Sequence, residues 1–147
     1  MVDSLDEKIL NVLLLNSRLS YRKIAKKLGI SVATVMNRVR ELEKNKVVER
    51  YTVDFDYYKI GYDIKVMIQL RISKGKLFEV EKKIATHKSV FAVYDVTGDF
   101  DAVVFARFKS RQAVDRFLKH IQTYDFVERT HTSLILNTIT EKQDELV

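Results

Sequence analysis

The chain has no cysteine, which excludes a disulfide framework and a thiolate metal site and fits a reducing cytosol. It also lacks a run able to span a membrane, which takes ~20 apolar residues. The run Ile9–Leu15 is short, is interrupted by Asn11 and follows Asp6 and Glu7. Those acids also argue against a secretory signal, whose first segment is basic. A cytoplasmic protein with no membrane partner is expected. There is no Gly-rich phosphate loop and no nucleophile elbow. His87, His120 and His131 lie far apart without ligand spacing and read as surface or partly buried side chains. Asp95, Asp99 and Asp101 are too few and too local for a metal site. Neither a cofactor nor a metal is implied, and the chain does not read as an enzyme.

What is present is a two-part pattern. At 147 residues and 46% hydrophobic content, the chain suits one ordinary domain or two small ones. The net charge of +6 is unevenly spread. Between Arg18 and Arg50, ten Lys/Arg face three acids for a net of +7, so the rest of the chain nets about −1. A local basic field is the footprint of phosphate contact.

That basic window holds the segment Ser20–Leu42. Ser20 suits the N-cap of a helix whose buried side carries Ile24, Ala25 and Leu28. Gly29 follows where the chain must turn. Ser31 caps a second helix, with Val35, Val39 and Leu42 facing inward. Its outer face is read as Ala33, Thr34, Asn37 and Arg38, with Met36 at its margin. Small, hydrogen-bonding and cationic side chains side by side suit a DNA major groove. A single basic amphipathic helix is usually only a solvated one. Here a small residue, Ala25, stands four before Gly29, and an upstream helix supplies Leu5, Ile9, Val12 and Leu13. Together they make a three-helix, helix-turn-helix unit. The candidate DNA contacts are Tyr21, Arg22, Ser31, Ala33, Thr34, Asn37, Arg38 and Arg40. Lys23, Lys26 and Lys27 suit phosphate contact or plain solvation.

Further expectations follow along the chain. The first helix starts near Ser4 or Leu5, with Ser4 and Glu7 as its capping box. Val47–Phe55 is β-branched and aromatic and reads as an extended strand, either a wing or an arm pairing with a second subunit. Residues 56–62 form a hinge. Ile64–Ile72 alternates as a half-buried strand, Lys74–Lys76 turns, and Leu77, Val80, Ile84 and Ala85 mark a helix. Val90–Thr97 and Ala102–Phe108 are strands around a tight Gly98-Asp99 turn. Ser110 caps a helix bearing Ala113, Val114, Phe117, Leu118 and Ile121. Val127–Thr138 is the last strand. The order βαββαβ makes a ferredoxin-like sandwich, so the fold class is α+β. The expected parts are a helix-turn-helix domain over 1–50, a strand and hinge over 51–62, and a sandwich over 63–147. The sheet face away from the helices is apolar enough to be covered by another subunit.

The opening Leu5-Asp6-Glu7-Lys8-Ile9-Leu10, the unit Ile24-Ala25 with Leu28-Gly29-Ile30-Ser31, Thr34-Val35, Arg38-Val39 and Leu42-Glu43, and Val47-Val48-Glu49-Arg50-Tyr51 resemble the Lrp/AsnC, or feast/famine, transcription regulators. So do Val93–Asp101, with its Thr97-Gly98-Asp99-Phe100-Asp101 core, and Val127–Thr132. The resemblance covers nearly the full length. It implies a winged helix-turn-helix domain on double-stranded DNA and a regulatory domain that dimerises through its sheet. It also implies further assembly, to a tetramer or octamer. Many members bind a free amino acid or related molecule between subunits. Carried over, Gly98, Asp99, Phe100 and Asp101 lie beside the effector, with Thr130 and Thr132 contributing. Turn chemistry alone favours reading Gly98-Asp99 as a plain primed hairpin turn; the resemblance is what brings the effector reading level with it. A nucleoid-architectural protein without an effector is the alternative reading.

Overall fold

A computed structural model of the chain describes residues 2–73 and 75–141. Lys74 of the expected turn and the final residues 142–147 lie outside the described residues. The described residues divide into two compact units, one running to Asp54 and taking in Thr140 and Glu141, the other Phe55–Ile139. The boundary at Asp54/Phe55 falls inside the expected strand-and-hinge segment 51–62 and leaves the whole of the hinge 56–62 in the second unit.

The first unit is three helices, α1 (Ser4–Leu15), α2 (Tyr21–Leu28) and α3 (Val32–Lys44). The cap of α1 is Asp3, not Ser4. Its carboxylate accepts the N–H groups of Leu5 and Asp6, each at 2.9 Å. The Asp3 N–H donates back to the Asp6 carboxylate at 3.1 Å. A carboxylate carries the cap better here because it also answers a cation described below. Ser20 and Ser31 cap α2 and α3 as expected, accepting from Lys23 N–H at 3.4 Å and Thr34 N–H at 3.0 Å. Gly29 ends α2 at φ 68° and ψ 32°. No atom lies within 4 Å of where its Cβ would stand, so glycine is there for its left-handed backbone alone. The three helices close over Ile9, Val12, Leu13, Ile24, Ala25, Val35 and Val39. Each fully buried Ile or Val contributes about 1.5–3 kcal/mol.

Past α3, Val47 and Val48 both donate to the Leu42 carbonyl and stop the helix. The expected strand over Val47–Phe55 does not form. Extended backbone becomes a strand only beside a partner, and none of the four strands of the described residues pairs with it. Tyr51, Val53 and Phe55 stand exposed in the alternating pattern of a strand.

The second unit runs β1 (Ile64–Ile72), α4 (Leu77–Ala85), β2 (Val90–Asp95), β3 (Ala102–Phe108), α5 (Arg111–Gln122) and β4 (Val127–Ile135). The sheet order is β2-β3-β1-β4, and every pairing is antiparallel. Val66, Ile68, Leu70 and Ile72 alternate inward with Ala102, Val104, Ala106 and Phe108 against Val80, Ile84, Phe117 and Ile121 of the helices. Lys65, Met67 and Gln69 point the other way, opposite Arg107, Phe105 and Val103. That open face also carries Tyr94, paired with Val103. β2 and β4 are shorter than expected, ending at Asp95 and Ile135. The β2–β3 connection is not a two-residue turn, because Asp95 pairs with Ala102 across six intervening residues.

Candidate functional site

Two places in the molecule gather the expected residues, one in each unit. On α3, Ala33, Asn37, Arg40 and Lys44 follow one another at i, i+4, i+7 and i+11 and are all exposed, opposite buried Val35, Val39 and Leu42. This stripe is a straight solvent-facing edge with two cations toward its C-terminal half. Tyr21 and Arg22 stand exposed in the first turn of α2. Ser31 and Thr34 lie together, their hydroxyls 2.7 Å apart, both engaged in capping α3. Lys44 was not among the expected contacts, although its spacing from Arg40 already aligns it.

Arg38 departs from the expectation. Consecutive residues on a helix are about 100° apart, so Arg38 lies on a different side of α3 from Asn37. Its guanidinium is 2.6 Å from the Asp3 carboxylate and 3.3 Å from that of Asp6. Asp6 is the one buried charged residue among those described. The Asp6 N–H and the Arg38 guanidinium hold the Asp3 carboxyl below the ordinary range. The hydrogen bond to Asp3 raises Arg38 in turn. Arg38 therefore fastens α3 to the start of α1.

In the second unit the loop 96–101 is pinned by Asp101. Its N–H donates to the Leu70 carbonyl at 2.9 Å, and its carbonyl accepts the Val96 N–H at 3.0 Å. Its carboxylate accepts the Ile72 N–H at 2.7 Å, beside the irregularity at Arg71/Ile72. Arg71 donates to the Asp99 carbonyl and lies 3.9 Å from the Asp101 carboxylate. The Phe100 ring lies 6.3 Å from that of His131, with the Arg129 guanidinium 5.8 Å from its centroid. Gly98 has φ 117° and open space where a Cβ would be. The exposed turn Thr97–Asp99 thus sits on a rigid footing, rimmed by Arg71, Arg129 and His131.

Those three rim residues escape a sequence reading, because only the β1–β4 register brings them to the loop. The same register pairs Thr130 with Leu70 and Thr132 with Ile68. Both threonines therefore occupy the helix-covered face, away from Phe100, which contacts the opposite row. Among the described residues, no group of three or more His, Cys, Asp or Glu could hold a metal ion. No helix among them is long and apolar enough to cross a membrane.

Comparison with known proteins agrees with this geometry. A family profile described as winged helix-turn-helix DNA-binding matches residues 2–49, and one described as the Lrp/AsnC ligand binding domain matches residues 65–144. An uncharacterized HTH-type transcriptional regulator of Pyrococcus abyssi is 41% identical over 141 residues, covering 96% of both chains. Escherichia coli AsnC superposes with a TM-score of 0.92 at 25% identity, covering 99% of both chains. A Neisseria meningitidis transcriptional regulator in complex with L-Met superposes at 0.90 with 22% identity, covering 100% of this chain and 97% of the other; that match speaks to the fold. The relatives are transcriptional regulators rather than enzymes. The chain belongs to the Lrp/AsnC family and is a DNA-binding transcription regulator of that type.

Proposed function

We propose that the protein selects particular DNA sequences with the α3 stripe and that a free amino acid, or a close chemical relative, modulates it from the loop 96–101. It works as a homodimer joined through the open sheet face, with dimers assembling further. The observation that carries the effector half is the convergence of unlike charges on one loop. Asp99 offers a carboxylate for an ammonium group, and Arg71 and Arg129 offer guanidinium groups for a carboxylate. An amino acid presents both. The ligand-binding domain match and the neighbour's L-Met support the same chemistry. For DNA, Asn37 and Arg40 of the stripe are suited to adenine and guanine edges respectively. Ligand held between copies favours one assembly, and assembly sets how paired recognition helices meet the duplex.

The test is selection of bound duplexes from a random pool, with and without pooled amino acids. Paired half-sites about one helical turn apart are expected, and so is an amino acid that raises the melting temperature or shifts the oligomer. Asn37→Ala and Arg40→Ala each lower affinity for the selected site by ~1–3 kcal/mol, while Asp99→Ala abolishes the amino-acid response. Binding without any site preference at moderate salt favours the architectural reading instead. An amino-acid screen that moves neither melting nor assembly overturns the effector half.

A further inference from the structure

On the helix-covered side of the second unit, between the C-terminal ends of α4 and α5, lies an open cleft of about 360 Å³. It is remote from the loop 96–101, whose Phe100 packs on the other face of the sheet. The cleft is floored by the buried side chains of Ile84 and Phe117, and its rim carries Lys83, Lys88, His87 and His120. None of its lining residues is Asp or Glu.

The lysines of the rim and the outward nitrogen of His87 are its N–H donors. The His87 Nδ1 accepts the Ser89 N–H at 3.2 Å, so the neutral ring carries its proton on Nε2. That ring lies 4.5 Å from Phe117. The His120 Nε2 is 3.1 Å from the Tyr124 hydroxyl, and the Lys83 ammonium stands 5.0 Å from the Tyr124 ring centroid. The Thr86 hydroxyl donates a hydrogen bond to the Lys83 carbonyl. Lys83 and His120 on their own would be accounted for by the negative ends of the two helices. Lys88 and His87 lie beyond the end of α4, in the turn to β2, and a helix end does not explain them or the apolar floor. Burial above all, and then the charges of His120 and Lys88, hold His87 below its usual pKa.

We propose that this cleft is a second small-molecule site, taking an organic anion with an apolar body and no ammonium group. The cations match a carboxylate or phosphate, and Ile84 and Phe117 receive the apolar body. A free amino acid is disfavoured because no carboxylate in the cleft answers its ammonium group. The two sites therefore sort ligands by charge, with zwitterions at the loop and plain anions at the helix ends.

The chain's three histidines report both sites in one NMR spectrum: His87 and His120 rim the cleft, and His131 stands beside the loop. The intact protein is titrated with phenylpyruvate, phenyl phosphate and phenylalanine, which share a ring and differ in charge. Phenylpyruvate, phenyl phosphate or both should move the His87 and His120 ring signals, and phenylalanine should leave them in place. Response to one anion alone identifies carboxylate or phosphate as the head group. The exposed-site variant Lys83→Gln with Lys88→Gln should weaken that binding about tenfold or more, the scale of a lost charge-assisted hydrogen bond. Asp99→Ala should leave it unchanged. The proposal is overturned if neither anion moves those signals, if phenylalanine moves them as far, or if the double lysine variant binds as the parent does.

Discussion

Arg38 shows how a single side chain changes role once its surroundings are known. Its neighbours in the sequence suggest a base-reading arginine, but its carboxylate partners are 32 and 35 residues earlier. No local pattern announces them. Asp3 and Ser4 are likewise both good caps with an acid three residues on, and only the proximity of Arg38 explains why the aspartate prevails. Arg38→Ala should therefore lower the melting temperature and weaken binding to selected and random duplexes by the same factor. Asp6→Ala should cost about 1 kcal/mol, the size of a lost cap, measured by denaturant unfolding. A loss confined to the selected duplex, with melting unchanged, would return Arg38 to base reading. Ser20, Gly29 and Ser31, by contrast, are legible from sequence because a cap and a helix stop act within four residues.

Between elements, α4 meets the end of β2 through a pair of carboxyls, Glu81 and Asp95. Burial first, and then hydrogen bonding and charge from Asp95, push the Glu81 carboxyl up to about 7. One of its oxygens is buried without a partner. The folded chain thus keeps a proton that the unfolded chain releases near its ordinary carboxyl pKa. That stabilisation is complete below the unfolded value and disappears as pH rises through about 7, because the unfolded state then binds fewer protons. Glu81→Gln, which holds a neutral group at the same place, should flatten the fall in melting temperature from about pH 5 to about pH 8. An unaltered pH profile in the variant would refute the shared proton. Nothing in Glu79-Val80-Glu81-Lys82 marks this glutamate, since its partner arrives from another strand. The strands and helices themselves are legible from their alternation and periodicity. The loop 96–101 is misjudged because Gly98-Asp99 imitates a two-residue turn, while the backbone bond from Val96 to Asp101 closes a wider one.

For the molecule as a whole, two surfaces of the described residues stay largely exposed, although the Tyr51 hydroxyl donates to Glu43 and Phe91 and Tyr94 meet Phe105. The exposed alternation of Tyr51, Val53 and Phe55 has strand chemistry and no strand beside it. The open sheet face presents Phe91 and Tyr94, 40% and 57% exposed. Both suit burial against a second copy. Replacing Phe91 and Tyr94 with aspartate should shift sedimentation toward the monomer while far-ultraviolet circular dichroism stays the same. An unchanged oligomer would mean that copies meet elsewhere. At this scale sequence reading reaches the two-part plan, while the open face it expected to be apolar is mixed, with Lys65, Gln69 and Arg107 beside Met67, Val103 and Phe105. It does not reach the arm's conformation, since a segment that needs another strand to order it cannot be judged from its own residues.

Asp101 spends its backbone N–H, its carbonyl and its carboxylate on holding neighbouring chain in place. A library built to retarget the regulator toward a different metabolite should therefore leave that aspartate alone. Under the proposed effector reading, diversity belongs at Asp99, Arg129 and His131, where replacement should alter selectivity while the keystone keeps the scaffold in shape.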